Sequence, residues 1–206
     1  MSCHVITISR TLAAGGEQVG RLVAEALGFR YLEGEIVVKA AEKAGVSPEA
    51  VARAEQTPGL FVRVLEAMAR NPASLEGWVG EMPAPLPRAN EYEGLIEGVI
   101  REAAREGKAV IVAHGASIPL AGTDGLLRVL VTASPEVRAQ RLVSEAELDE
   151  RAAAKAVADS DGQRRSFLQR FYHVDREQPT HYDLVVNTDV LTAEQAAQAV
   201  LAAAKG

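Results

Sequence analysis

The opening of the chain carries the feature that most restricts its fold: a strand, a loop of small residues and an amphipathic helix follow one another directly. Residues 5–8 are all β-branched and predict a buried strand. A loop over 9–16 ends in two glycines. Apolar side chains then recur with helical spacing as far as Leu27, and Gly28 is placed to end the helix. This order is typical of the start of an α/β nucleotide-binding fold.

The rest of the chain alternates between apolar runs and helical patterns. Apolar runs over 109–113 and 126–131 predict further strands, of the kind that parallel sheets cover on both faces, and 183–187 predicts a last strand. Helical spacing occurs over 36–44, 48–54, 60–69, 91–106, 135–144, 145–158, 162–172 and 192–204. The sequence therefore predicts an α/β fold in three layers, with a mainly parallel sheet of about five strands that binds ligands at their carboxyl ends.

Composition excludes several classes of protein. Hydrophobic residues make up 48% of the chain and charged residues 24%, which is enough apolar material for a core and rules out general disorder. The formal net charge of −6 provides no overall basic field for a nucleic-acid polymer. Because the chain shows neither a signal-peptide pattern nor an apolar run of membrane-spanning length, we expect a cytoplasmic protein without a membrane partner. Cys3 and His4 lack further ligands at metal-site spacing, so we expect no metal-ligating residues.

The loop over 12–16 meets two requirements for cradling a phosphate. Its small side chains let successive backbone N–H groups turn towards an anion, and the helix that begins near Glu17 adds its dipole. The usual P-loop pattern also has a Lys followed by Ser or Thr, and Gly16 and Glu17 stand in those places here. Two interpretations stay open: a phosphate-binding loop, or a tight strand-to-helix turn without a ligand.

Five segments carry motifs in a recognisable order and spacing. They are Ile6–Tyr31, with its I-S-R start and its G-G before the helix, Val110–Ala116, Ser134–Leu142, Asp161–Arg165 and His181–Thr188. Together they resemble the cytidylate kinase-like family of bacterial P-loop proteins, whose members lack the usual P-loop lysine. The resemblance covers most of the chain and implies a P-loop kinase fold with a helical insert and a helical lid.

The resemblance also implies how ATP would be bound. The loop would wrap the β-phosphate, and Mg²⁺ would bridge the phosphates. Arg10 would compensate for the missing lysine, because its planar guanidinium suits phosphate oxygens. The ATP-binding residues implied in this way are Arg10, Ala13, Ala14, Gly15, Gly16, Glu17 and Gln18.

A group of arginines would line the lid and stabilise the transferring phosphoryl group, which needs positive charge on its oxygens. By the resemblance, these catalytic residues are Arg138, Arg141, Arg164 and Arg165, with Arg10. The alternative is that the helical arginines lie on solvated faces and pair with Glu136, Glu145 or Glu150.

The acceptor side is less constrained by the sequence. Glu33 or Glu35 stands where relatives carry an acid that would orient the acceptor nucleotide, or is an ordinary acid at a helix start. Asp161 would hold the lid arginines or merely begin a helix. His114 replaces the arginine that is expected to contact the acceptor phosphate in cytidylate kinases, and its charge changes near neutral pH. This departure leaves the acceptor open.

We expect one P-loop kinase-like domain over 1–206. Its core comprises 1–33, 107–144 and 181–206, with a helical insert over 34–106 on the acceptor side and a lid over 145–180. The role of Trp78 in the insert and the formation of a homodimer stay open.

The expected function is ATP-dependent phosphoryl transfer to a small acceptor, in the first place a nucleoside monophosphate such as CMP. A first alternative is a nucleotide-binding protein with little or no kinase activity that works through ligand-dependent lid closure. A second is a kinase for another small hydroxyl or phosphate substrate. We expect no nucleic-acid polymer as a partner.

Overall fold

The computed structural model describes residues 3–43, 89–112, 115–146 and 148–205. The chain divides into two compact units, one formed by Met1–Glu33 with Ala103–Gly206 and the other by Gly34–Glu102. The helices predicted over 48–54 and 60–69, and also Trp78 and His114, lie outside the described residues.

The first unit is built on a five-stranded sheet. Its strands are β1 (Val5–Arg10), β2 (Arg30–Leu32), β3 (Ala109–Val112), β4 (Leu126–Thr132) and β5 (Leu184–Asn187). They lie in the order β2-β3-β1-β4-β5, and every neighbouring pair is parallel. The predicted α/β fold with a parallel five-stranded sheet is therefore confirmed.

Helices alternate with these strands along the chain. They are α1 (Gly16–Leu27), α2 (Gly34–Lys43), α3 (Ala89–Glu106), α4 (Pro135–Ala146), α5 (Glu150–Tyr172) and α6 (Ala193–Lys205), with a short 3-10 helix at Pro179–His181. Gly28 ends α1 in the left-handed conformation, with φ 64°, as its place in the sequence predicts.

The prediction of two helices over 145–158 and 162–172 is wrong, because one continuous helix, α5, covers most of this region. It starts later than predicted, where the Asp149 side chain accepts a hydrogen bond from the Ala152 N–H at 2.8 Å. Gly162 lies inside the helix. An isolated glycine in a helix costs only about 1 kcal/mol, which the good helix formers on both sides offset.

One face of the sheet packs against α1 and α6. Val19 and Val23 of α1 and Val200 of α6 share a buried cluster with Ile8 and Val129 of the central strands. These apolar positions recur with helical spacing in the helices and alternate in the strands, which is why the cluster forms on this face.

A glycine sets the close approach of α1 to the sheet. A Cβ atom at Gly20 would lie 2.8 Å from Cγ2 of Val112 and 3.1 Å from Cε2 of Tyr31. Any larger residue would push α1 away from the strands and move the start of the helix with it. The packing of Gly20 therefore helps to fix the position of the β1–α1 loop, by which we mean residues 10–15, from the last residue of β1 to the N-cap of α1.

Sheet topology identifies the edge where a ligand would bind. β1 lies between β3 and β4. The strands β2 and β3 lie on one side of β1 and the strands β4 and β5 on the other, so the strand order reverses at β1. Ligands of such sheets bind outside the carboxyl ends of the strands at this reversal point. The β1–α1 loop follows the carboxyl end of β1 directly. None of the described helices is long and apolar enough to cross a membrane.

Candidate active site

The β1–α1 loop turns through two left-handed residues before α1 begins. Ala13 has φ 58° and Gly15 has φ 78° with ψ 14°, and Gly16 is the first helical residue. A left-handed residue directly before a right-handed one brings successive N–H groups onto one concave side, an arrangement that binds anions. Positive φ disfavours most side chains at position 15, so glycine suits this turn.

The first N–H groups of α1 are those that a helix cannot bond within itself. Gly15 is the N-cap residue and provides no side-chain acceptor. Within the described part of the chain, no backbone carbonyl accepts from the N–H groups of Gly16, Glu17 or Gln18. Helix starts satisfy such groups with a cap, with water or with a ligand, and the helix dipole favours an anion there.

Carbonyl groups of the same loop are held by side chains from elsewhere in the first unit. Nη1 of Arg141 donates to the Ala13 carbonyl at 3.0 Å, and its Nη2 donates to the Thr188 carbonyl. The Thr188 hydroxyl, which is buried, donates to the Ala14 carbonyl at 2.9 Å. The loop backbone is thereby fixed by α4 and by the residue after β5.

A third carbonyl is held at the end of β1. Nη1 of Arg164, on α5, donates to the Arg10 carbonyl at 3.0 Å. The guanidinium also forms a bidentate pair with Glu177, at 2.8 and 2.6 Å. The Tyr182 hydroxyl donates to the same carboxylate. Of the arginines predicted to line the lid, Arg141 and Arg164 thus contact the loop through its carbonyl groups.

The side chain of Arg10 occupies the space above Gly16. A Cβ atom at Gly16 would lie 2.6 Å from Cβ of Arg10. Residue 16, which is lysine in the usual pattern, therefore has no side chain here, and the Arg10 side chain lies against its backbone. The guanidinium of Arg10 forms ion pairs with Glu17 and, at 3.4 Å, with Glu33. Its side chain is 27% exposed. Arg10 therefore brings a solvent-accessible positive charge to the start of α1, partly neutralised by two carboxylates.

Glu33 links this charge to the end of β2. The Tyr31 hydroxyl donates to Oε2 of Glu33 at 2.7 Å, and Arg21 lies 3.8 Å from the same oxygen. The Arg21 guanidinium also stacks over the Tyr31 ring, 4.6 Å from its centre. Burial and the neighbouring Glu33 carboxylate raise the pKa of Tyr31 well above its ordinary value, so its hydroxyl stays protonated as a donor.

Arg138 joins α4 to α5 instead of facing the loop. It is 3% exposed and pairs with Asp161 through two hydrogen bonds of 2.8 and 2.7 Å, while its Nε donates to the Ala133 carbonyl at 3.0 Å. Asp161 lies in the middle of α5, so the interpretation that it merely begins a helix is wrong. Among the described residues, Arg138 and Arg164 pair with Asp161 and Glu177, and Arg141 binds carbonyl groups. None of the three pairs with the alternative partners, which were Glu136, Glu145 and Glu150.

The remaining predicted residues are not brought to one place. Arg165 is exposed on α5, one position beyond Arg164, and Gln18 is exposed on α1. Glu35 lies in the first turn of α2, in the second unit. In the described ranges, no group of three or more His, Cys, Asp or Glu side chains is arranged to hold a metal ion.

Sequence reasoning did not single out two side chains that shape the loop. Thr188 and Glu177 bind groups that are distant along the chain, and neither position stands out in the local pattern. Thr188 does belong to the His181–Thr188 motif, which offered a signal. Glu177 lies between α5 and the 3-10 helix, and no periodicity or motif points to it.

Comparison with solved structures first identifies the fold. The fold is that of small-molecule kinases: it matches shikimate kinase from Bacteroides thetaiotaomicron with a TM-score of 0.52 and 13% identity, covering 97% of each chain. Shikimate kinase from Acinetobacter baumannii, in complex with shikimate, matches with a TM-score of 0.50 and 14% identity over 97% of this chain and 92% of the other. An uncharacterised protein from Eubacterium ventriosum matches with a TM-score of 0.66 and 14% identity over 98% of both chains.

The sequence then identifies the particular family. Residues 5–190 match the model of the cytidylate kinase-like family, and the chain belongs to that family. The resemblance of the motifs is thereby confirmed, as is the kinase fold. A search among curated proteins finds no match.

Proposed function

We propose that the protein transfers the γ-phosphoryl group of ATP to a small acceptor, and that the acceptor is a nucleoside monophosphate such as CMP. The observation that carries this proposal is the β1–α1 loop. Gly15 is left-handed and Gly16 is helical, so the N–H groups at the start of α1 would bind phosphate oxygens. The bonds from Arg141 and Thr188 to the Ala13 and Ala14 carbonyl groups would hold the loop in that shape before a ligand arrives. Family membership supports the same reaction class.

Arg10 would supply the charge that the usual lysine provides. Its side chain crosses Gly16, the residue in the lysine position, and reaches Glu17 in the first turn of α1. An arginine in this place can exchange its carboxylate partners for phosphate oxygens, because both bind the same planar fork. The partial exposure of Arg10 leaves room for this exchange, whereas buried Arg138 has none.

The residues at the loop are compatible with Mg²⁺. The metal is usually held by one or two carboxylates together with substrate phosphates and water, so it requires no cluster of three side chains. Glu17 presents a carboxylate where the usual pattern has a metal-binding hydroxyl. Glu17 would hold Mg²⁺ beside the phosphates, and the metal would neutralise their charge during transfer.

Acceptor binding would involve the acidic and basic groups at the end of β2. Glu33 holds Tyr31 and lies near Arg10 and Arg21, which places hydrogen-bonding groups next to the anion site. Glu35, Asp161 and His114 were also predicted on this side. His114 lies outside the described residues, and its predicted role stays a proposal with its own test: His114→Arg should raise kcat/KM for CMP about tenfold if a bidentate contact forms.

Arg165 would take the role of a lid arginine on the transferring phosphoryl group. It is exposed on α5, whereas Arg138, Arg141 and Arg164 each bind protein groups. Phosphoryl transfer depends mainly on positioning and on positive charge around the phosphoryl oxygens. Removing the Arg165 guanidinium should therefore lower kcat more than it weakens ATP binding.

ADP release in the presence of ATP and Mg²⁺ tests the proposal directly. A panel of nucleoside monophosphates and small hydroxyl compounds should contain an acceptor that stimulates ADP release, with CMP expected among the active ones. At subsaturating ATP, Arg10→Ala should lower the stimulated rate at least fivefold, while Arg101→Ala, which removes an exposed ion pair on α3, should preserve it. ADP release that no acceptor stimulates would contradict the proposed transfer.

A second candidate function follows from the same loop. Gly16 and Glu17 replace the lysine and hydroxyl of the usual pattern, and Arg10 is engaged by two carboxylates. These features suit a protein that binds a nucleotide without rapid transfer. ATP binding by calorimetry, combined with the absence of ADP release from the whole panel, would favour this function over the first.

A further inference from the structure

Glu177 lies at the centre of a hydrogen-bonded group that ends on the β1–α1 loop. Its two carboxylate oxygens accept from Nε and Nη2 of Arg164, and the Tyr182 hydroxyl donates to one of them. The remaining terminal nitrogen of Arg164, Nη1, donates to the Arg10 carbonyl. Glu177 therefore reaches the loop through a single intermediate side chain.

This group is largely shielded from water. The side chains of Arg164 and Glu177 are 20% and 21% exposed, and Tyr182 is buried. Bidentate arginine–carboxylate pairs in such surroundings have a fixed geometry and are stronger than exposed pairs. The orientation of the Arg164 guanidinium is thus set by Glu177.

The charge states of the group favour the same arrangement. Burial alone would lower the pKa of Arg164, but the Glu177 carboxylate outweighs it and the pKa of Arg164 is raised. Burial alone would raise the pKa of Glu177, but the hydrogen bonds and charge of Arg164 outweigh it and the pKa of Glu177 is lowered. Both groups stay charged near neutral pH, so the ion pair persists there.

We propose that Glu177 is a positioning residue, which holds Arg164 on the Arg10 carbonyl and so fixes the first turn of the β1–α1 loop. Its consequence for ATP binding rests on the proposed function, but its effect on the loop does not. Arg164 has three of its donors committed to Glu177 and Arg10, and its role is to fix the loop backbone.

Arg10 and Arg164 have different partners at the start of the loop. The Arg10 side chain faces carboxylates at the start of α1, while its carbonyl faces Arg164. Loss of Glu177 would leave Arg164 buried without its counter-charge, and the guanidinium would turn towards water. The Arg10 carbonyl would then lose its donor and the loop would open more often.

Amide hydrogen exchange without any nucleotide tests the positioning role. The Ala14 N–H donates to the Thr11 carbonyl at 3.2 Å, so its exchange rate reports the shape of the loop. In Glu177→Gln, we expect exchange at Ala14 to be about tenfold faster, with strand β4 protected as in the parent. Arg164→Ala should have a similar effect. In Glu106→Gln, which weakens a 2.6 Å ion pair to Arg30 at the other end of the sheet, Ala14 should exchange as in the parent.

A double variant separates positioning from a merely structural role. If Glu177 acts through Arg164, then Glu177→Gln should have no further effect on Ala14 exchange in the Arg164→Ala background. Effects that multiply in the double variant would overturn the proposal, as would parent-like exchange at Ala14 in a folded Glu177→Gln. Should Glu177→Gln fail to fold, Tyr182→Phe removes one donor to the carboxylate with little change in volume. It should speed Ala14 exchange severalfold, and an unchanged rate would overturn the proposal.

ATP titration distinguishes failure of this proposal from failure of the proposed function. A parent protein that binds no ATP would contradict the proposed function and leave the exchange result to decide the role of Glu177. If the parent binds ATP, Glu177→Gln should weaken binding about tenfold, and any measured turnover should show a larger change in KM for ATP than in kcat. An unchanged affinity together with unchanged exchange would reject the positioning role.

Discussion

Arginine side chains contact the β1–α1 loop in two different ways. Arg141 and Arg164, which we call the rear arginines, donate to its carbonyl groups. Arg10, which we call the front arginine, pairs instead with the carboxylates of Glu17 and Glu33 at the start of α1. Carbonyl groups cannot be exchanged for a ligand without deforming the backbone, whereas carboxylate partners can be exchanged for phosphate. The rear arginines therefore shape the site, and the front arginine is available to bind in it.

The largest effect is expected from removing a rear arginine. Arg141→Ala deletes the donors to the Ala13 and Thr188 carbonyl groups, and so should lower the free energy of unfolding by about 2–3 kcal/mol. ATP affinity should fall at least tenfold, because the loop loses its fixed shape. Chemical denaturation and titration calorimetry measure the two effects. A fully stable variant with normal ATP affinity would contradict the role assigned to Arg141.

Removing the front arginine should affect binding without affecting stability. Arg10→Ala should weaken ATP binding by about 1–3 kcal/mol, the range of hydrogen bonds to charged groups. Its free energy of unfolding should change by less than about 1 kcal/mol, because partly exposed ion pairs contribute little. Arg10→Lys should recover only part of the affinity, since an ammonium group cannot reproduce the planar fork. Unchanged calorimetric affinity in Arg10→Ala would remove Arg10 from the site.

Moving the positive charge from residue 10 to residue 16 tests whether the front arginine replaces the usual lysine. Arg10→Gly combined with Gly16→Lys moves the positive charge to the place that lysine occupies in the usual pattern. Removal of the Arg10 side chain also clears the space that a side chain at position 16 needs. The double variant should bind ATP more tightly than Arg10→Gly alone, and an equal or lower affinity would show that charge at this place is not what the loop lacks.

A smaller effect is expected from filling the space between the front arginine and α1. A Cβ atom at Gly16 would lie 2.6 Å from Cβ of Arg10, so Gly16→Ala should destabilise the fold by about 1–2 kcal/mol and displace the guanidinium. Gly162→Ala is the matched control, because no described side chain or backbone atom beyond its own stretch of α5 lies within 4 Å of its Cβ position. The control should stabilise the protein by about 0.5–1 kcal/mol. Thermal unfolding of the two variants should shift in opposite directions, and a common direction would contradict the packing described.

The smallest effect is a dependence on pH at the rear of the loop. Because the pKa of folded Glu177 is lowered, its stabilising effect is present above the ordinary carboxyl pKa of 4.5 and is lost as pH falls through the folded pKa. The stability difference between the parent and Glu177→Gln should be on the order of 1 kcal/mol at pH 6–7, and should shrink as pH falls from about 4.5 towards 3. Urea unfolding at a series of pH values measures it. A difference that grows in acid would contradict the assignment.

Much of the fold could be predicted from local patterns, because strands and helices bury regularly spaced side chains. Residues 5–8 and 109–112 are continuous apolar or β-branched runs, and both are buried strands. The loop was also identified correctly as a strand-to-helix turn rich in small residues. The division of α5 was predicted wrongly, because Asp161 and Gly162 look like a helix boundary in sequence but are tolerated inside a long helix.

The partners of the arginines could not be predicted in the same way. Arg141 is 128 residues from Ala13 in sequence, and Arg164 is 154 residues from Arg10. Contacts at such separations depend on how α4 and α5 pack, and the local periodicity of a sequence does not predict that packing. Glu177 illustrates the limit most clearly, because it lies in a segment without a motif and gains its role only from the folded arrangement.

A crystal structure with a non-hydrolysable ATP analogue and Mg²⁺ tests the division between front and rear arginines most directly. We expect phosphate oxygens within hydrogen-bonding distance of the N–H groups of Gly15, Gly16 and Glu17, with the Arg10 guanidinium moved from its carboxylates onto a phosphate. Arg141 and Arg164 should keep their bonds to the loop carbonyl groups. A structure in which Arg10 stays on Glu17 and Glu33, while Arg141 or Arg164 leaves the loop to bind the phosphates, would contradict this account.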